Sequence, residues 1–590
     1  MAMRVSTKTD KPKDTKGAIK RLLKYCFEYK YRLLVIVALC LCGNVLALAG
    51  PKLAGNAIEK IALGKGQVDM QAVTHYVILM ICCYVASALI SYLVSVTMMK
   101  TGRLIAHSMR QDVFDKLMTL PVGFFDRNQA GDIISRVSYD VDVISTSIST
   151  DTVQILTSMV TVVGSFVMMF LISPQLVVIT LITIPMAIFY TNFMGKRTRP
   201  LFSKRSAKYG QMNGFVEEMF SGQKTILAYA RENKVTENFN VINSEAADLF
   251  YESEYYGMTI GPSVGFINNL GLALTCMFGS VLYLYKMVNL GEISSFVLYT
   301  RKFSGPINEI ANIINDLFSA LAASERVFRL LDEQEEVEDV EGAKELKDVK
   351  GDVEFDHVNF GYEEGHTIIK DFSLKVPAGQ RIAIVGKTGA GKTTLINLLM
   401  RFYDVDAGHI YIDGNEIRSL TRKSLRKAYA MVLQDTWVFE GTVFDNIAYG
   451  CENATMQDVI GAAKAAHIHS FIMHLPKGYD TVINEDGGNI SKGQKQLLTI
   501  ARAFLYDASI LILDEATSNV DTTTEQEIQK AMTSLMKGRT CFVIAHRLST
   551  IQNSDNILVL DHGDIVEQGN HKELMENKGK YYEMFMSQWQ

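Results

Sequence analysis

The sequence predicts two parts of different chemistry. One is a membrane α-helical bundle of six transmembrane helices with long cytoplasmic extensions, and the other is a C-terminal α/β P-loop domain. Three observations carry this reading. Residues 33–51, 70–99, 152–195 and 255–285 contain no Asp, Glu, Lys or Arg. From residue 351 the pattern changes to β runs such as VEFDHVNF, then to apolar strands alternating with helices. Between the halves, residues 331–350 (LDEQEEVEDVEGAKELKDVK) are acidic, short of aromatic residues, and read as a solvated linker. The boundaries follow: 1–330 transmembrane, 331–350 linker, 351–590 α/β domain.

Averages hide this segregation. Across 590 residues the mean hydropathy is only +0.10 and charged residues make up 21%. The net charge of −5 excludes an electrostatically driven nucleic-acid binder, so no nucleic-acid partner is expected. The eight cysteines follow no CxxC spacing, and several lie in apolar runs, so they read as free thiols.

Residues 19–31 read as a short interfacial amphipathic helix before the first span. A helix needs about 20 mostly apolar residues to cross roughly 30 Å of hydrocarbon. The charge-free runs supply five spans at about 33–53, 74–97, 153–172, 176–195 and 262–285, with Ser173-Pro174-Gln175 as the hairpin between the third and fourth. The sixth, about 293–316, opens one long helix reaching to about 325 and interrupted by Pro306. It carries Arg301, Lys302, Glu309 and Asp316, of which the last three are seven apart and share a face. Charges inside a membrane face a protein interior or a water-filled cavity, which makes Arg301, Lys302 and Glu309 candidate cavity-lining residues. Asp316 reads as solvated at the cytoplasmic end.

Residues 1–32 hold ten Lys/Arg against three Asp/Glu, so the N-terminus stays cytoplasmic and six crossings return the C-terminus there. The long charged segments 98–151 and 196–261 then lie inside, and their helices run well below the membrane. No cleavable signal is indicated. A multi-pass protein of the cell (plasma or inner) membrane, in contact with the lipid bilayer, is expected.

In the soluble half, Gly386-Lys387-Thr388-Gly389-Ala390-Gly391-Lys392-Thr393 is a full GxxxxGK[ST] loop. It follows the apolar strand 381–385 and opens the helical run 394–400, beginning at Thr394. Backbone N–H groups across Gly386, Thr388, Gly389, Ala390 and Gly391 would wrap phosphates at the positive end of the helix. Lys392 would neutralise β/γ oxygens, and the Thr393 hydroxyl would ligate Mg²⁺. Downstream, the strand Ile510-Leu511-Ile512-Leu513 ends in Asp514 and Glu515. The first suits a Mg²⁺ partner and the second a base for attacking water. Strand 541–545 leads to His546, a γ-phosphate contact at a carboxyl end.

These residues resemble the ATP-binding cassette (ABC) transporter family, and the similarity covers nearly the whole chain. Six spans followed by one P-loop ATPase cassette is the layout of exporter half-transporters. The resemblance implies further roles. Tyr362 matches the aromatic that stacks on adenine, and Gln434 the Q-loop glutamine that senses Mg²⁺ and the membrane domain. Ser518-Asn519-Val520-Asp521 resembles the D-loop, with Asp521 at the nucleotide interface, and His546 the switch histidine. Phe124-Phe125-Asp126 through Ser135-Arg136 looks like the coupling-helix segment. ATP and Mg²⁺ are the implied cofactors.

One motif departs from the family. Its LSGGQ signature reads Ile490-Ser491-Lys492-Gly493-Gln494 here. Ser491, Gly493 and Gln494 survive, while Lys492 removes a glycine's access to positive φ and adds a side chain where the opposite cassette's γ-phosphate is gripped. An intact Glu515 beside a non-consensus signature resembles one subunit type of heterodimeric exporters, which favours a heterodimer with a second half-transporter over a homodimer.

The resemblance implies ATP-driven export by alternating access, with an amphipathic small molecule, drug- or lipid-like, as cargo. A homodimeric lipid or peptide exporter is the alternative, and the lack of a peptidase-like extension disfavours leader-cleaving peptide export. An ATP-gated channel or membrane sensor is the reading from another class.

Overall fold

The computed structural model describes residues 14–62, 68–363, 365–433, 436–484, 489–514, 522–544 and 551–588, without the side chains of 307–312, 315 and 588. The chain forms two compact units, Met1–Leu120 with Asn128–Glu335, and Pro121–Arg127 with Glu336–Gln590.

Helices run in the order α1 (Thr15–Glu28), α2 (Lys30–Ile61), α3 (Met70–Thr119), α4 (Val122–Arg127), α5 (Ala130–Ile172), α6 (Pro174–Ser221), α7 (Gln223–Ala228), α8 (Glu232–Leu284) and α9 (Leu290–Leu331). All but α4 belong to the first unit. By length and composition α2, α3, α5, α6 and α8 are able to cross a membrane. The sixth expected span lies in α9, a continuous helix of 42 residues through Pro306. Its charges keep it below the apolarity of the other five. Helices α3, α6 and α8 have 50, 48 and 53 residues. At 1.5 Å per residue each is about 70–80 Å long, more than twice the hydrocarbon thickness. Side chains such as Leu171, Phe189 and Leu284 are 72–80% exposed, which is the arrangement expected where lipid rather than water is the solvent.

The packed interior joins Leu48 of α2, Met169 of α5, Leu176 and Val177 of α6, and Phe296, Tyr299 and Phe303 of α9. Polar contacts along α2 and α9 have one local cause. Pro51 inside α2 has no N–H, so the carbonyl four residues back, Ala47, loses its helical donor. Lys302 Nζ of α9 donates to that oxygen at 2.8 Å. Tyr299 Oη donates to the Leu48 carbonyl at 2.6 Å and Ser295 Oγ to that of Pro51 at 3.0 Å. The backbones come this close because Gly55 faces Gly291, and a Cβ on either would collide with the other's carbonyl. Within α5, π-helical turns occupy Arg136–Asp140 and Ser147–Asp151. The first aims Asp140, 3% exposed, at Arg326 of α9, which donates to both its oxygens at 2.9 and 2.5 Å.

Among the described residues the second unit has two main sheets and a short antiparallel β7-β8 pair. Strands β1 (Val353–Phe360), β2 (Ile369–Val376), β3 (Arg381–Gly386), β4 (Ala407–Ile412), β5 (Asn415–Glu416), β6 (Tyr429–Val432), β7 (Gly441–Thr442), β8 (Val482–Ile483), β9 (Ile510–Asp514), β10 (Thr540–Ile544), β11 (Asn556–Asp561) and β12 (Asp564–Gly569) follow in order. The first sheet is antiparallel, β2-β1-β4-β5. The second, β12-β11-β3-β10-β9-β6, is parallel except for the β11–β12 hairpin. Near-continuous Val/Ile/Leu runs in β3, β9 and β10 suit strands buried on both faces.

Part of the acidic segment differs from a solvated linker. Glu336 accepts from Arg426 at 2.5 and 3.1 Å, and Asp339 accepts from Arg422 at 3.1 Å. Arg422 is almost fully buried, so its charge requires these carboxylates, and the linker's acids supply them.

Candidate nucleotide site

The parallel sheet brings the carboxyl ends of β3, β9 and β10 side by side, with Ile544 opposite Asp514 and Ile384 opposite Ile544. The loop Gly386–Gly391 leaves β3 there and feeds the helix Lys392–Leu399. Its glycines are required by geometry. Gly389 has φ +85° and Gly391 φ +100°, backbone that side chains rarely adopt. A Cβ on Gly386 would strike the Leu560 carbonyl. Ala390 anchors the loop from inside, 4% exposed, with its carbonyl accepting from Gly563 N at 3.2 Å.

Lys392 folds back over this loop. Its Nζ donates to the carbonyls of Gly386 at 2.7 Å and Lys387 at 3.0 Å. Burial pushes its pKa below the ordinary lysine value, and the Asp514 carboxylate partly offsets this. An ammonium held over a glycine-rich loop at a helix start makes an anion cradle. Thr388 and Thr393 are exposed and Thr394 is buried. The Thr393 hydroxyl and the Asp514 carboxylate are hard oxygen donors of the kind Mg²⁺ takes, so the residues fit that ion. Among the described residues no group of three His, Cys, Asp or Glu gathers to hold a metal.

Tyr362 stands beside the cradle, 43% exposed. Its hydroxyl donates to Thr394 Oγ1 at 3.4 Å and accepts from Asn397 Nδ2 at 3.1 Å. Its ring meets Phe360 and Tyr403 edge-on, with centroids 5.0 and 4.9 Å away. Tyr403 had no place in the sequence reading. Its hydroxyl donates to Asp126 of α4 at 2.6 Å, and burial plus that carboxylate push its pKa up. Gly123 lies against the same ring, a Cβ there reaching it at 3.0 Å. The segment Pro121–Arg127 therefore belongs to the cassette's compact unit, although the chain runs through it from α3 to α5.

The signature segment forms a regular helix start. Ser491 caps the helix Lys492–Tyr506 through a capping box, with Gln494 N donating to Ser491 Oγ at 3.3 Å and Ser491 N to Gln494 Oε1 at 2.8 Å. Lys492 is the first helical residue and exposed, while Gly493 is buried. The expectation that Lys492 removes a needed positive φ is corrected: a helical residue has no use for that freedom.

Asp514 ends β9 as expected from its run. Gln434, Glu515, Asp521 and His546 lie outside the described residues, as does the side chain of Glu309. Arg301 is exposed on α9, and Lys302 is half-buried against Ala47 and 5.8 Å from the centroid of Tyr84.

Residues 33–307 match the family model described as ABC transporter transmembrane region, and residues 369–518 the one described as ABC transporter. The chain is 41% identical over 583 residues to an uncharacterized ABC transporter ATP-binding protein, YfiC, of Bacillus subtilis, covering 99% of this chain and 96% of that one. It is 43% identical over 525 residues to a fatty acid ABC transporter ATP-binding/permease protein of Mycobacterium bovis, covering 88% and 82%. Among solved structures, a bacterial Atm1-family ABC exporter with ATP bound matches with a TM-score of 0.75 and 30% identity, over 95% of this chain and 98% of that one.

Proposed function

This chain belongs to the ABC transporter family, as an exporter-type transmembrane region fused to an ATP-binding cassette, and from that premise we propose that it exports lipid- or drug-like amphiphiles as one half of a dimer. It is a multi-pass membrane protein and an ATPase coupled to transport. The observation that carries the reading is Lys392 folded over its glycine-rich loop, on the same chain as five helices, among the described residues, apolar enough to span a bilayer. The similarity to a fatty acid transporter supports a cargo with a hydrocarbon tail.

Each residue has a role at the reacting bond. Lys392 exchanges its two carbonyl partners for the β/γ oxygens of ATP, and the loop amides hold the same oxygens. Tyr362 stacks on the adenine. Thr393 and Asp514 would hold Mg²⁺, with Gln434 as a further contact, and the bound ion would neutralise charge building on the phosphates. Glu515 takes the proton of the attacking water, and His546 fixes the γ-phosphate. Across the dimer, Ser491, Gly493, Gln494 and Asp521 close over the partner's nucleotide. ATP drives the cycle only to the extent that it binds the closed pair better than the open one. Both termini are cytoplasmic in this scheme.

A heterodimer remains our reading of the pair. What supports it is the resemblance: Glu515 is kept beside a signature that departs from LSGGQ at Lys492, the pattern of one subunit type of heterodimeric exporters. If the chain purified alone forms a homodimer with full ATP turnover, a homodimeric exporter is correct instead.

The test is ATP-driven uptake of a labelled lipid-like amphiphile into inverted vesicles. Uptake is expected in the native pair and lost with Glu515→Gln while ATP binding persists. Uptake that ignores ATP, or ATP-dependent single-channel currents in its place, would favour the channel reading.

A further inference from the structure

Lys302 is a cation inside a membrane-spanning helix, and its described partners are poor ones. A backbone carbonyl accepts from it at 2.8 Å, and the Tyr84 ring lies 5.8 Å away. Among the described residues it has no carboxylate partner. An ammonium in hydrocarbon is costly unless it meets an anion or water. Counted along α2 from residue 33, Ala47 lies about 21 Å into a hydrocarbon layer of about 30 Å. The charge is therefore held at depth.

The surroundings fix where it points. Ser295, Tyr299 and Lys302 follow one another along a single face of α9, and all three donate to α2 around Pro51. Tyr299 is fully buried, while Lys302 is only half-buried and Tyr84 is 41% exposed. The proline frees a carbonyl that holds the ammonium, and the partial exposure of Lys302 and Tyr84 leaves it reachable. A carboxylate or phosphate oxygen is a stronger acceptor for an ammonium than a neutral carbonyl.

From this geometry we infer that Lys302, with Tyr84, is the headgroup site for an anionic amphiphile, so that the cargo carries a carboxylate or phosphate on a hydrocarbon tail. The inference rests on the export reading above and narrows it. The tail would lie along the apolar helices while the headgroup takes the ammonium from Ala47.

The test uses the full transporter in proteoliposomes and four cargoes with one shared acyl tail, ending in a carboxylate, a phosphate, a hydroxyl or a quaternary ammonium. The native protein is expected to move the two anionic cargoes at least about tenfold faster than the alcohol, and the cation least, as a charge-assisted bond requires. Lys302→Met is expected to bring the anion-to-alcohol ratio close to one, and Lys302→Arg to keep most of it. A preference for carboxylate over phosphate, or the reverse, identifies the headgroup. Equal transport of all four by the native protein overturns this inference and leaves the export reading standing, as does an anion preference that survives Lys302→Met. If none of the four moves with ATP, the export reading falls and the inference with it.

Discussion

Removing the Tyr403 hydroxyl tests how nucleotide occupancy reaches the membrane helices. Tyr403→Phe keeps the ring beside Tyr362 and deletes only the 2.6 Å bond to Asp126. A hydrogen bond to a charged group contributes about 1.5–3 kcal/mol. Asp126 is exposed, so water replaces part of that, and about 1 kcal/mol is a fair discount. The raised pKa keeps the phenol protonated and donating through the alkaline range of the assay. One kcal/mol is about a fivefold change in an equilibrium that the bond biases. Cargo-stimulated ATP turnover in proteoliposomes should therefore fall about fivefold in Tyr403→Phe, and similarly in Asp126→Asn. The double variant should be no worse than either, because both delete the same interaction. Multiplicative losses, or no loss in either variant, would refute the idea that this bond carries coupling.

Three other outcomes follow from the same geometry. Gly391→Ala places a Cβ 2.8 Å from Ile369 Cδ1 at φ +100°, a strain of about 1–3 kcal/mol, so ATP affinity should fall about tenfold or more in a nucleotide-binding titration and the cassette should melt earlier. Asp140→Asn removes the charge that Arg326 grips. That arginine is 40% exposed and rehydrates, so the loss should be about 1–2 kcal/mol rather than the cost of a fully buried pair, read as a lower melting temperature in detergent. Burial depresses the Lys392 pKa, so in the nucleotide-free cassette its proton is lost at a lower pH than the usual value near 10.4. ATP binding should then take up a proton and weaken as pH rises through that depressed value, measured by calorimetry in buffers of different ionisation heat, whereas binding independent of alkaline pH would contradict it.

What was legible in the sequence was local. The P-loop spacing, the β9 run ending at Asp514 and the charge-free spans each report on neighbouring residues and on one solvent, water or lipid. The capping box of Ser491 and Gln494 was equally local, yet the family's glycine drew attention to Lys492's backbone when the position is simply the first turn of a helix. The rest depends on contacts between distant residues. Lys302 meets Ala47 across 255 positions, and Tyr403 meets Asp126 across 277. Nothing in either segment marks its partner. The acids at 336 and 339 looked solvated because the buried Arg422 that needs them lies more than eighty residues on. Pro51 was visible as a proline inside a span, but the carbonyl it frees matters only once α9 is beside it.

The central claim is that ATP held by Lys392 changes which side of the membrane the bundle opens to. Spin labels at Lys224→Cys on α7 and Met287→Cys between α8 and α9, expected at the cytoplasmic and outer ends of the bundle, on this chain and at the matching positions of its partner, read both ends in lipid discs. In Glu515→Gln protein, ATP should shorten the cytoplasmic distance and lengthen the outer one, and Lys392→Ala should abolish both shifts. Distances that stay the same at both ends with saturating ATP would contradict the account.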